Sequence, residues 1–383
     1  MNVRRIQLKG FRNHEHTEID CAPGINVLLG KNGEGKTNTL EGFSYLCLTK
    51  SFFGSNDSTV LRSGQTAFEV DGLLCSDAGT EYRVRAAFDT HQGEKEFFIN
   101  TSPIERFSSV IGQFPVVILS PEAGAITGGA PAERRRFMDF VISQSSKRYL
   151  EDLLDYRRIL RQRNRILLDA KLGRTDPSRE LEPWDTELVD RGARILVKRR
   201  TFAAEFSPHV VQAYRQLVGE LESPSMNYRS SIPTEETQTE QETRKLFEQQ
   251  LERTRPDERR SGTTMAGPHR DDIEFTVNNL ALKHYASQGQ HKSVQISLKM
   301  AEFRYLEEYC RETPILLLDD VFSELDADRA ERLLGMLDGM GQAFITATGD
   351  EMLRGQVTWG GKNKKFFVQR GTVVYEEAAG VVR

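Results

Sequence analysis

Cysteine is scarce and scattered. Cys21, Cys47, Cys75 and Cys310 stand far apart in the 383 residues, and no CxxC or CxxH spacing occurs. That excludes the usual zinc site, and a disulfide framework does not suit so large an intracellular chain. The seven histidines show no HExxH pattern. No apolar run approaches the roughly 20 residues of a membrane span. Met1-Asn2-Val3-Arg4-Arg5 leads into a short alternating segment rather than a secretory h-region. The expectation is a cytoplasmic protein with no membrane partner. Heptads do not persist for three or four repeats, which excludes a long coiled coil, and no internal repeat is evident. Positive charge is not in excess: 52 Lys and Arg against 56 Asp and Glu give a net charge of −4. This argues against a histone-like coat and leaves room for a local basic patch.

What is present is chain enough for two or three domains. Hydrophobic residues at 38% and charged residues at 28% fit a soluble globular protein. Strand-like runs fall at 3–8, 17–20 and 25–29, and a helical stretch at 38–48. Further β-like runs at 68–74, 82–88, 96–99 and 116–119 suggest a meander. Ser120-Pro121 breaks this pattern, and Pro131 suits the first turn of a helix. From about Glu133 to Leu217 apolar residues recur at helical spacing, with an expected break at Arg174–Ser178 and Pro183. Residues 218–265 are polar, and the acidic, Gln-rich stretch 234–250 reads as an exposed helix. Strands return at 273–277, 315–318 and 344–346, a helix spans 293–308, and 366–374, broken at Gly371, reads as a closing hairpin. A helical block thus interrupts an α/β unit. The expected division is 1–120, 121–262 and 263–383.

Gly30-Lys31-Asn32-Gly33-Glu34-Gly35-Lys36-Thr37 fits G-x-x-x-x-G-K-[ST] between a strand and a helix. Glycines let the backbone aim its N–H groups at phosphate oxygens, and the following helix adds its N-terminal donors. Lys36 is expected on the β- and γ-phosphates and Thr37 on Mg²⁺. Chance produces such a match roughly 0.01 times in a chain this long, so a phosphate loop for ATP is the reading.

Ile315-Leu316-Leu317-Leu318-Asp319-Asp320 is an apolar strand ending in two acids. The C-terminal end of a buried strand faces the ligand crevice of an α/β sheet. Asp319 is expected to hold Mg²⁺ and Asp320 to polarise the attacking water. About 280 residues separate Thr37 from Asp319, so something is inserted between them.

Tyr285-Ala286-Ser287-Gln288-Gly289-Gln290-His291-Lys292 resembles the signature motif of ABC-type ATPases, and Ser323-Glu324-Leu325-Asp326 their D-loop. Leu8-Lys9-Gly10-Phe11-Arg12-Asn13 is similar to the opening of SMC-like heads. With no long coiled coil, the chain resembles most the RecF family within that group. Ser120-Pro121-Glu122, the run 129–139, Tyr156–Asn164 and Gly267-Pro268-His269-Arg270-Asp271-Asp272 carry that likeness in order. Two positions depart from the wider ABC pattern: Asp320 stands where many members have Glu, and the signature reads S-Q-G-Q. No switch histidine is placed; Thr346 and Thr348 occupy its neighbourhood.

The resemblance implies an ABC-type, SMC-like P-loop ATPase head, of class α/β, with an inserted, mainly helical domain. It implies weak, DNA-stimulated hydrolysis of ATP with Mg²⁺. Ser287, Gly289 and Gln290 of one copy would complete the partner's nucleotide site in an ATP-dependent, head-to-tail homodimer. It further implies binding to double-stranded DNA and to junctions beside single-stranded gaps, with RecR- and RecO-type partners that help load RecA. Another reading is an SMC-like clamp acting on a different DNA or protein substrate. Arg12 reaches the nucleotide in similar heads. A guanine-reading NKxD motif is missing, the nearest approach being Asn363-Lys364-Lys365-Phe366.

One feature bears on DNA independently. Residues 134–165 hold ten Arg or Lys and four Asp or Glu. Arg157, Arg161 and Arg165 fall at i, i+4, i+8, and either track phosphates or pair with Asp152 and Asp155 as a solvated face. Base-reading motifs are absent, so backbone and shape recognition is expected. His269 with Arg270, Asp271 and Asp272 forms either a buried polar turn or a nucleotide contact.

Overall fold

The computed structural model describes residues 1–174, 177–233, 239–349, 353 and 356–377. The chain divides into two compact units. The first comprises Met1–Gly124, Gln212–Leu221 and Gln288–Arg383, the second Ala125–Val211 and Glu222–Ser287. No described helix is long and apolar enough to cross a membrane.

The first unit opens with β1 (Asn2–Phe11), β2 (His14–Asp20), β3 (Ile25–Leu29) and α1 (Lys36–Leu48). β4 (Ala67–Cys75), β5 (Glu81–Asp89), β6 (Glu94–Ile99), the short β7 (Ser102–Pro103) and β8 (Val116–Leu119) follow. One antiparallel sheet runs in the order β2-β1-β4-β5-β6-β7. In β1, Val3, Ile6 and Leu8 are buried, and a register shift between Val3 and Arg5 turns both Arg4 and Arg5 to solvent.

The helical segments come next: α2 (Gly124–Gly128), α3 (Pro131–Ser145), α4 (Lys147–Lys171) and α5 (Pro177–Val218). Pro131 occupies the first turn of α3, where its missing N–H costs nothing. The expected break at 174–178 falls partly on 175–176, outside the described residues. Pro183 does not end a helix, contrary to expectation: α5 runs through it. Fully buried Leu181 and Leu188 on either side supply packing that outweighs one lost backbone bond. β9 (Pro224–Arg229), α6 (Glu240–Ser261), β10 (Asp272–Val277), β11 (Leu280–Ala281) and α7 (Leu282–Tyr285) complete the second unit. A capping box between Thr239 and Glu242 starts α6. Residues 234–238 of the expected helix 234–250 lie outside the described residues. The remainder is not a fully exposed helix, because Thr243, Phe247 and Leu251 are buried at fourfold spacing.

Residues 263–287 group with the second unit, not with the C-terminal segment where the sequence reading put them. The cause is strand pairing and ion pairing. β10 pairs with β9 and β11 in a three-stranded antiparallel sheet. The turn before β10 is a buried polar knot. Asp271, fully buried, accepts from the Ser231 N–H at 2.9 Å and from Arg199 Nη1 at 3.1 Å. Arg199 also donates to Asp139 Oδ1 at 2.7 Å and to the Pro268 carbonyl at 2.6 Å. Arg134 holds Asp272 with two bonds of 2.7 and 2.9 Å. The His269 segment is thus a partly buried polar turn of the second unit, with Asp271 buried and Arg270 exposed.

The first unit resumes with α8 (Gln288–Cys310), β12 (Ile315–Leu318), α9 (Ala327–Leu337), β13 (Ala343–Ala347), β14 (Lys364–Gln369) and β15 (Thr372–Glu377). Its second sheet has the order β15-β14-β3-β13-β12-β8. All neighbours pair in parallel except β14 with β15. β3, β12 and β13 are buried at every position, the pattern of strands covered on both faces. Helix α1 packs against β1, β4 and β5 and against β13. It lies between the two sheets and therefore has almost no exposed face. The Phe43 and Phe344 rings meet at 4.0 Å. At Gly72 a Cβ would come within 2.3 Å of the Leu46 side chain, so glycine permits this close helix–sheet approach.

Candidate nucleotide-binding site

β3 delivers the chain to Gly30, and α1 begins at Lys36. The loop between them is braced from beneath. Asn13 Nδ2 donates to the Glu34 carbonyl at 3.0 Å, and the Gly371 N–H donates to the same oxygen at 2.7 Å. The Arg370 N–H meets the Glu34 carboxylate. Gly35 has φ +112°, and a Cβ there would lie 2.7 Å from the Asn13 amide, so glycine is required on both counts. His14 is fully buried below the loop, with Nδ1 2.7 Å from the Gly371 carbonyl and Nε2 3.2 Å from the Gly35 carbonyl. Burial lowers its pKa, and the two carbonyls oppose that shift. Sequence reasoning missed His14 and Gly371 as loop supports. Their signal is three-dimensional: Gly371 is 357 residues from His14.

A cavity of about 340 Å³ opens above the loop. Asn32, Gly33, Gly35, Lys36 and Thr37 line one side, and Asp319 and Asp320 the other. Lys36 Nζ donates to the carbonyls of Gly30 at 2.6 Å and Lys31 at 2.9 Å. Burial lowers its pKa, while Asp320, Asp319 and Glu34 pull it back up. Lys36 thus lines the cavity with its ammonium nitrogen tied to the loop's own carbonyls. Gly30, Lys31 and Glu34 shape the loop without lining the cavity.

Opposite the loop, Asp319 follows directly on β12. Thr37 Oγ1 donates to Asp319 Oδ1 at 2.8 Å, and Thr346 Oγ1 donates to the same oxygen at 2.7 Å. The Asp320 N–H donates to Thr346 Oγ1 at 2.9 Å. Asp319 is 6% exposed, whereas Asp320 is exposed and takes the left-handed conformation at φ +50°. Thr346 also lines the cavity, while Thr348 is exposed and does not.

Not every expected residue joins this cluster. Gly289 and Gln290, in the first turn of α8, do not line the cavity of their own unit. Ser287 belongs to the second unit. Arg12 is turned toward Glu41, a fully buried acid, with two bonds of 2.7 Å, and is not a lining residue. Asp326 caps α9 by accepting from the Arg329 N–H at 2.9 Å.

A phosphate loop after a central parallel strand, faced by an acid-tipped strand with one strand between the two in the sheet, defines a P-loop ATPase head of the ABC type, here interrupted by a mainly helical insertion. The comparisons with known proteins narrow the class. A family model described as RecF/RecN/SMC N terminal domain matches residues 2–364. The chain is 45% identical over 351 residues to the DNA replication and repair protein RecF of Chloroherpeton thalassium, covering 91% of this chain and 95% of that one. To the protein of the same name from Salinibacter ruber it is 39% identical over 351 residues, covering 91% and 85%. A solved structure described as the recombination mediator protein RecF-ATPrS in the RecFOR pathway superposes with TM-score 0.88 at 30% identity, covering 97% of each chain. The Smc head domain of Pyrococcus furiosus shares the fold at TM-score 0.57 and 13% identity, covering 98% and 96%. This chain belongs to the RecF family.

Proposed function

We propose that the chain is an ATP-dependent DNA-binding protein of recombinational repair and replication, whose copies close head to tail on ATP at single-strand gaps. The observation that carries this is the Thr37–Asp319 bond. It brings residues 282 apart into one pocket beside the phosphate loop. Lys36 exchanges its two loop carbonyls for β- and γ-phosphate oxygens. Thr37 and Asp319 fit Mg²⁺, since a hydroxyl, one carboxylate and phosphate oxygens satisfy that ion's preference for few protein ligands. When bound, the ion supplies neutralisation of phosphate charge. Asp320, open to the cavity, orients the attacking water as general base. Ser287, Gly289 and Gln290 of one copy contact the nucleotide of the other, so ATP stabilises the dimer by touching both. The relatives' names and the RecFOR pathway support DNA as the substrate and RecO- and RecR-type proteins as partners in loading RecA.

The test is light scattering after size exclusion, with and without Mg²⁺-ATP. Wild type and Asp320→Asn are expected to dimerise with ATP, the latter persistently because hydrolysis is slowed. Ser287→Arg is expected to stay monomeric while binding ATP, and Lys36→Ala to bind none. If all remain monomeric while wild type binds ATP, the shared site is wrong. If Asp320→Asn hydrolyses at the wild-type rate, Asp320 is not the base.

A further inference from the structure

Thr346 is 1% exposed and stands on β13, the strand that separates β3 from β12. It therefore sits between the strand that launches the phosphate loop and the strand that ends in the two acids. Its hydroxyl has a single proton. That proton goes to Asp319 Oδ1, 2.7 Å away. The 2.9 Å contact with the Asp320 N–H must then be one in which Thr346 accepts. The chain of bonds has one direction: Asp320 N–H to Thr346, and Thr346 to Asp319.

We infer that Thr346 is a positioning residue that fixes both acids at once, so that the cation-holding carboxylate and the water-orienting one keep a constant relation. This rests on the nucleotide-site reading above. Asp319 Oδ1 accepts from both Thr37 and Thr346. Thr37 can give a lone pair to a cation while keeping its one proton, but any shift of that hydroxyl toward the ion weakens its hold on Asp319. The bond from Thr346 remains and stops the carboxylate from rotating. On the other side, the Asp320 backbone is in the left-handed conformation, uncommon for non-glycine residues though less so for aspartate. The bond to Thr346 is a constraint at that residue's own N–H. One hydroxyl thus orders the ligand and the base, a role that partners of metal ligands commonly have.

Thr346→Val keeps the volume and removes the hydroxyl; Thr346→Ser keeps the hydroxyl. The measurement is nucleotide affinity with a fluorescent ATP analogue, in Mg²⁺ and in EDTA, alongside steady-state hydrolysis. For Thr346→Val we expect affinity in EDTA to match wild type, the Mg²⁺-dependent gain to fall about tenfold, and turnover to fall. Serine is expected to restore the Mg²⁺-dependent gain, which a purely packing role for the methyl group would not do. Thr346→Ala serves the same purpose if the valine protein does not fold. A folded valine or alanine variant with an undiminished Mg²⁺-dependent gain overturns the inference. Loss of nucleotide binding in wild type itself would instead overturn the site.

Discussion

At His269, Nε2 lies 3.1 Å from the Thr264 carbonyl and Nδ1 lies 2.7 Å from the Tyr156 hydroxyl. A carbonyl only accepts, so Nε2 carries the proton and Nδ1 accepts from tyrosine. Burial, more than the nearby Arg270, Arg135 and Arg163, lowers the imidazole pKa to about 4. The folded pKa is below the unfolded value of about 6.5. Stability from the neutral ring is therefore complete above pH 6.5 and is lost as pH falls toward 4, on the order of 3 kcal/mol. Denaturant midpoints measured from pH 7 to pH 4 are expected to drop for wild type and to change less for His269→Gln. Parallel curves would mean the ring is not held neutral. The sequence exposed this residue's motif and left two meanings open. Its partner Tyr156 is 113 residues away, and no local pattern names it. Thr346 was legible only as an occupant of the switch histidine's neighbourhood; its bonds to both acids come from the strands beside it.

Helix α4 changes the reading of the basic row. Arg157 bonds Asp139 at 3.1 Å, and fully buried Arg163 is bound by Asp185 and Glu258. Asp152 is occupied by Arg191 and Arg194. The open row is Arg158, Arg161 and Arg165, at i, i+3, i+7. Arg158 has only a 3.7 Å contact with Asp155, and Arg161 and Arg165 are exposed without an ion pair among the described residues. If this face holds DNA, replacing the three with alanine should flatten the slope of log affinity against log salt by about 2.7. An unchanged slope would place DNA elsewhere. Strands, glycine loop and α1 were legible because their signals are contiguous. The pairing of β9 with β10 was not, since Pro224–Arg229 lies in a polar stretch with no strand alternation. That missed pairing is why the expected boundary at 263 fell short of Ser287.

At the scale of the molecule, the nucleotide cavity is lined by the first unit alone. A ligand there at about 100 times its Kd adds about 2.7 kcal/mol to the state that binds it. Calorimetry with an ATP analogue should raise the transition carrying the first unit and leave Lys36→Ala unmoved. A variant that still shifts would show that binding does not need the loop lysine.

The first unit is assembled from three separated stretches of sequence, and this matters while the chain is being made. β3 pairs on one side with β13 and on the other with β14. Both leave the ribosome more than 300 residues later. At roughly 5–20 residues per second, the strand that carries the phosphate loop waits about 15 to 60 seconds with both edges unpaired. The antiparallel sheet can close early, but the nucleotide pocket cannot exist until β12 and β13 have been made. A premature stop anywhere before β13 would leave a folded-looking start with an open, aggregation-prone strand and no site.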